Sequence, residues 1–247
     1  MSDLKNSENQ KPKCSERFDH IHHQRPRKSK FKKRWWLLAD LVIATFIIAL
    51  LLCTPGRYKP IIAIRDNQIS PYLTNELLPQ FYNNIQLGEP FDLVVSGQGI
   101  NDIIARFKWP IESGGTMFLT PTVFFVPDRI VVMGPVVVKG VELIVTIECR
   151  PVIDKNGLLN LQMAKVKVGA MNVTLPAKMI AKRIYSQQLA AAAVAVDAES
   201  LQAKIAASIF NNVPFEPAFQ FGGKKVRVEK ITVENEKLTA RIVPMSG

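Results

Sequence analysis

The feature that most constrains this chain is a long, mostly apolar stretch, Trp35 to Cys53, that follows directly on a run of positive charge. As a helix its 19 residues reach about 28 Å, which matches a hydrocarbon core about 30 Å thick. Eleven of them are Leu, Ile, Val or Phe, and at about −0.5 kcal/mol each they favour insertion by roughly 5 kcal/mol. Asp40 opposes this, but it lies little more than one turn from the basic end. There it reaches the headgroups or pairs with Lys33 or Arg34, so it costs less than the ~3 kcal/mol of a midplane carboxylate. Trp35 and Trp36 suit the interfacial aromatic belt, and Thr54-Pro55-Gly56 stops the helix. The stretch is longer than the apolar region of a cleaved signal peptide. Leu50-Leu51-Leu52-Cys53 has the outline of a lipoprotein signal, but Leu52 is bulkier than the small residue such a signal places before its Cys. The reading is a retained signal-anchor, with Arg34, Trp35 and Trp36 as its interface residues.

Charge supports that reading. Residues 1–34 hold 11 Lys/Arg against 4 Asp/Glu, a local net of +7, while the rest holds 21 against 17, or +4, of the total +11. The tail has too few large apolar side chains to bury and is expected to be disordered. Its end, Arg25 to Arg34, carries seven cations in ten residues. Such a run can bind nucleic acid or act as a localisation signal. Because it abuts the apolar stretch, the positive-inside rule is the simpler explanation, and no nucleic-acid partner is expected. The expected organisation is a basic cytoplasmic tail (1–34), a transmembrane helix (35–53) and an extracytoplasmic domain (57–247), periplasmic where there are two membranes.

Within that domain, Ile69–Ile85 reads as a helix, because Ile69, Tyr72, Leu73, Leu77 and Phe81 recur at three- and four-residue steps. Ser70 and Pro71 suit its cap and first position, and Pro79 suits a kink. Phe91–Val95 reads as a strand, and Ile100–Phe107 as a short helix with Ile100, Ile103, Ile104 and Phe107 on one face. Pro121–Val126, Ile130–Val138, Val141–Arg150 and Leu158–Val168 read as strands, the last pair joined at Asn156-Gly157. Lys224–Val233 and Lys237–Val243 read as a closing hairpin. A helical stretch over about Ala177–Phe210 separates these sheet parts, with Leu189, Val196, Leu201, Ile205 and Ile209 apolar and Asp197 as a cap for its second half. The fold class is α+β: long helices packed on a curved, largely antiparallel sheet, preceded by one transmembrane helix.

The alternation within strands suggests a ligand surface. Val141, Leu143, Val145, Ile147 and Cys149 share one side of their strand, expected to be buried. Glu142, Ile144, Thr146, Glu148 and Arg150 share the other, expected to be wet. Ile130–Val138 and Phe124-Phe125-Val126 are apolar on both sides. Such strands are either enclosed between helices and sheet or line an apolar groove. The candidate groove residues are Val123, Phe125, Ile130, Val132, Val136 and Val138.

Catalytic chemistry is not visible. His20, His22 and His23 all lie in the tail, so the outer domain lacks the histidine that Ser-His-Asp, Cys-His and His-zinc sites require. Gly97-Gln98-Gly99 lacks the third spaced glycine of a dinucleotide loop. Glu142 and Glu148 lie on the side expected to be wet, and Cys149 reads as a buried, inert thiol. No enzyme activity, metal or cofactor is expected.

Three segments carry a resemblance: Phe91 to Ile104, Val123 to Gly134, and Ile147 to Leu159 continuing through Val168 to Pro176. In order and spacing they resemble the YpmS-like membrane-anchored bacterial proteins and the related phospholipid-binding extracytoplasmic lipoproteins. The similarity covers about residues 88–244 and the preceding anchor. It implies a lipid-binding domain of half-tube shape with no catalytic residues. The expected function is therefore a membrane-tethered module that binds lipid or another apolar ligand, with membrane lipids as partners. The alternative is an assembly protein of the cell envelope that binds a protein partner. Oligomeric state is not legible in the sequence.

Overall fold

The computed structural model describes residues 30–64, 68–180 and 201–245. The chain divides into two compact units, Met1–Val42 and Ile43–Gly247. Helix α1, Lys30–Leu52, is long and apolar enough over Trp35–Leu52 to cross a membrane, and none of that window is buried against protein. Arg34, Trp35 and Trp36 lie in its first turns, and both tryptophans are exposed. The helix stops before Thr54-Pro55-Gly56, as the sequence predicts. Cys14 and the three histidines lie outside the described residues.

Residues 71–87 are helical throughout, in two parts. Ser70 caps the start: its Oγ accepts the Leu73 N–H at 3.2 Å and its hydroxyl donates to Asp102. Pro79 cannot donate to the carbonyl four residues back. The helix responds with a wider π turn, Leu73–Leu77, closed by the Leu78 N–H on the Leu73 carbonyl, before α2, Leu78–Leu87, resumes the ordinary ladder.

Among the described residues eleven strands follow, all paired antiparallel. They form two sheets, where the sequence suggested one. The smaller has the order β1 (Phe91–Ser96), β11 (Lys237–Met245), β10 (Lys224–Val233), β9 (Ala218–Phe221). The larger runs β2 (Ile111–Ser113), β3 (Thr116–Phe118), β5 (Arg129–Val138), β6 (Val141–Ile153), β7 (Leu159–Val168), β8 (Met171–Asn172), with β4 (Thr122–Val126) also on β5. In the smaller sheet the first strand pairs with the last, a long-range pairing that local alternation cannot reveal.

Two apolar clusters hold these parts. In one, α2 lays Phe81 and Ile85 on the smaller sheet against Phe91, Val226, Ala240 and Ile242. The Phe81 ring meets Phe91, Phe219 and Phe221 with centroids 5.9, 6.0 and 4.9 Å away. In the other, Val123 and Phe125 pack with Val233, and Ile100 and Ile104 of α3 (Gly97–Ala105) close over them. Phe107 does not join this face: α3 ends at Ala105 and the ring is exposed. A helix α4 begins at residue 174 and is described to 180, and α5 spans Leu201–Asn211. Leu189, Val196 and Asp197 lie outside the described residues. The fully buried Ser208 of α5 accepts the Leu161 N–H at 2.7 Å, so the helix satisfies part of the free edge of β7.

Candidate functional site

Residues directly opposite in an antiparallel pair point to the same side of the sheet. The β5–β6 register therefore assigns two faces. One carries Val131, Met133, Pro135 and Val137 with Glu148, Thr146, Ile144 and Glu142. The other carries Ile130, Val132, Gly134, Val136 and Val138 with Cys149, Ile147, Val145, Leu143 and Val141.

The expected burial of β6 fails at Val141, Ile144 and Thr146, while Glu142 and Arg150 are exposed as expected. Ile144 and Thr146, expected to be wet, are 7% and 3% exposed, while Val141, expected inside, is 48% exposed. Leu143, Val145 and Ile147 are half-buried, and Cys149 alone on that side is buried as expected. Alternation decides which side chains share a face; the path of distant chain decides which face is covered. Here the segment after α1 crosses the mixed face. The Lys59 carbonyl accepts the Thr122 hydroxyl at 2.9 Å, and Tyr58, Pro60 and Ile61 lie with Pro135 and Glu142 around a cleft of about 290 Å³. Trp109 forms another wall, its indole N–H fixed on the Ile104 carbonyl at 2.8 Å. Burial, and then the nearby Glu142 carboxylate, raise the Tyr58 phenol above its ordinary pKa. The cleft is at the small end of ligand sites.

The aliphatic face divides into two halves. Pro121 stands over Gly134, where an added Cβ would meet the proline Cβ at 3.3 Å. On one side of this wall, Val123, Phe125, Ile130 and Val132 are drawn into the closed core under α3. On the other side, Val136 is half-buried and Val138 is 37% exposed. The six candidate groove residues are thus split: four line an internal core and two lie on open surface.

The register extends the open half in both directions. Phe118 pairs with Val136 and Ile111 with Phe118, so both join this face, and they are 38% and 47% exposed. With Val136, Val138, Val141 and Leu143 they make a largely apolar surface over β2, β3, β5 and β6, with Thr116 and Ser113 at its polar edge beside Val138. Ile111 and Phe118 were not legible as site residues, because their strands have three residues each. The available signal was Gly114-Gly115 between them, whose φ values of +58° and +74° fit the type I′ turn of a two-residue hairpin.

This open half lies at the end of the sheet that meets α1. The turn between β7 and β8 donates the Gly169 N–H to the Ile144 carbonyl and the Ala170 N–H to the Leu50 carbonyl, both at 2.8 Å. A side chain at Gly169 would collide with the Leu50 and Leu51 carbonyl oxygens, and its φ of +58° also favours glycine. The last turn of α1 is therefore joined to β6 through one tight turn. Leu143 and Val141 lie one and three strand positions from Ile144, within about 10 Å at 3.3 Å per residue.

Among the described residues, no group of three or more His, Cys, Asp or Glu gathers as a metal site would require. The open surface is aliphatic and aromatic and offers packing rather than acid–base chemistry. Compared with known protein families, with curated proteins and with solved structures, the chain matches none.

Proposed function

We propose that this protein is a membrane-tethered, non-catalytic module that takes the acyl chain of a lipid, or another apolar ligand, on the open half of its larger sheet. One observation carries the reading: half of the aliphatic face of that sheet, with Ile111, Phe118, Val138 and Val141 exposed, is open, and it lies beside the end of the apolar helix. Water is a poor neighbour for such a surface, and each CH₂ of a ligand laid against it contributes about 0.8 kcal/mol on burial. The half-tube shape implied by the resemblance to YpmS-like proteins belongs to the same proposal. So does the topology, with the N-terminus cytoplasmic and the domain outside, which rests on the basic run before Trp35.

The test uses the full chain in proteoliposomes with a photoactivatable fatty acid. Saturable adducts at Ile111, Phe118, Val138, Val141 or Leu143, competed by unlabelled fatty acid and lost in Val138→Asp/Val141→Asp, are the expected result. Adducts confined to α1, or adducts that excess fatty acid does not compete, would overturn the proposal.

A further inference from the structure

Helix α4 presents an apolar arc that no described residue covers. At 100° per residue, Leu175, Met179, Pro176 and Ile180 fall within about 140° of the helix circumference. Leu175, Met179 and Ile180 are 78%, 74% and 59% exposed. Thr174 and Ala177, half-buried, occupy the opposite side. Thr174 pins the helix start to β7: its Oγ1 accepts the Val166 N–H at 2.9 Å, and the Val173 N–H donates to the Val166 carbonyl at 2.9 Å. Lys178 is exposed at the margin of the arc, where its ammonium can reach headgroups. Single exposed apolar side chains such as Leu87 and Phe107 are ordinary for a soluble surface. An arc of four is not.

Position identifies what covers it. The chain enters α4 from the turn whose Ala170 N–H sits on the Leu50 carbonyl, inside the last turn of the apolar helix. Met171 and Asn172 run back along β7 opposite Val168 and Lys167, and Thr174 is bonded at Val166. The start of α4 is therefore about 10 Å along the strand from the end of α1. The headgroup layer of a bilayer is about 5–8 Å thick per side, and an interfacial helix sinks its apolar face about 5–10 Å.

Resting on the reading that α1 spans a membrane, we propose that α4 is a second membrane contact. Its Leu175, Pro176, Met179 and Ile180 arc lies at the headgroup–acyl boundary of the bilayer that α1 leaves. The domain is then held at two points, which fixes its rotation about the anchor.

The experiment uses the full chain in liposomes containing doxyl-labelled phospholipid, with Cys14→Ser and Cys53→Ser as background. A single environment-sensitive fluorophore is placed at Leu175→Cys, Met179→Cys, Ile47→Cys in the apolar helix, or Lys155→Cys at the far end of β7. Loss of at least about half of the emission at 47, 175 and 179, with little loss at 155, is expected for an interfacial helix beside a span. Loss at 47 without loss at 175 and 179 would overturn the second contact and leave the span standing. No loss at 47 would overturn the span, and the second contact with it.

Discussion

Burial pushes the Cys149 thiol up to about 11 from an ordinary value near 9, because the thiolate has too little water around it. At pH 8 only about one molecule in a thousand then carries the reactive thiolate there. We expect Cys149 to resist alkylation by maleimide in the folded chain at pH 8 and to react at once on denaturation, as mass spectrometry of the alkylated peptide can follow. The sign of the pH effect follows from the same shift. A raised folded pKa stabilises the fold fully below the unfolded value, and that contribution fades as pH rises from about 9 towards about 11. The environment of this residue was legible in the sequence, because Cys149 alternates with Val145 and Ile147. Thr146 shows the limit of that argument. A polar residue on the side expected to be wet is instead 3% exposed, and its hydroxyl has no hydrogen-bond partner among the described residues.

Among the elements, α2 depends most on one side chain. Phe81 is 6% exposed and touches three other phenylalanine rings, two of them from the β9 strand at the sheet edge. Phe81→Ala should cost about 3–5 kcal/mol, measured as a lowered urea midpoint of the detergent-solubilised full chain with the slope unchanged. A loss under 1 kcal/mol would mean that α2 is not part of the cooperative core. Elements with long periodic patterns were readable: the Ser70-Pro71 helix start, the β5, β6 and β7 strands, and the closing hairpin all stand close to their expected bounds. The short strands β2, β3, β8 and β9 were not, since two to four residues carry no period. Nor was the π turn, which arises where Pro79 leaves the ladder without a donor. The candidate site was half legible for a related reason. Its aliphatic side chains could be named, but which of them are covered is decided by Pro121 and by α3, whose packing on this face alternation within β5 and β6 does not show.

For the whole molecule, the proposed topology makes a plain prediction. The full chain should stay with membranes through alkaline carbonate extraction. In sealed vesicles with the domain facing outwards, a membrane-impermeant thiol reagent should reach Cys14 only after permeabilisation, read in a Cys53→Ser background. Labelling of Cys14 before permeabilisation would reverse the orientation, and release by carbonate would remove the anchor.

The turn at Gly169-Ala170 also has a mechanical consequence. Leu50, Ala170, Gly169 and Ile144 form one series of two hydrogen bonds joined by a single peptide unit. Torque applied to the last coil of the helix passes through that series into the central strand of the larger sheet, while the connecting segment is tied down separately, by the Lys59 carbonyl on the Thr122 hydroxyl and the Ile64 N–H on the Ala105 carbonyl. The end of α1 is thus keyed to the sheet, and a residue larger than glycine at 169 would strip the key.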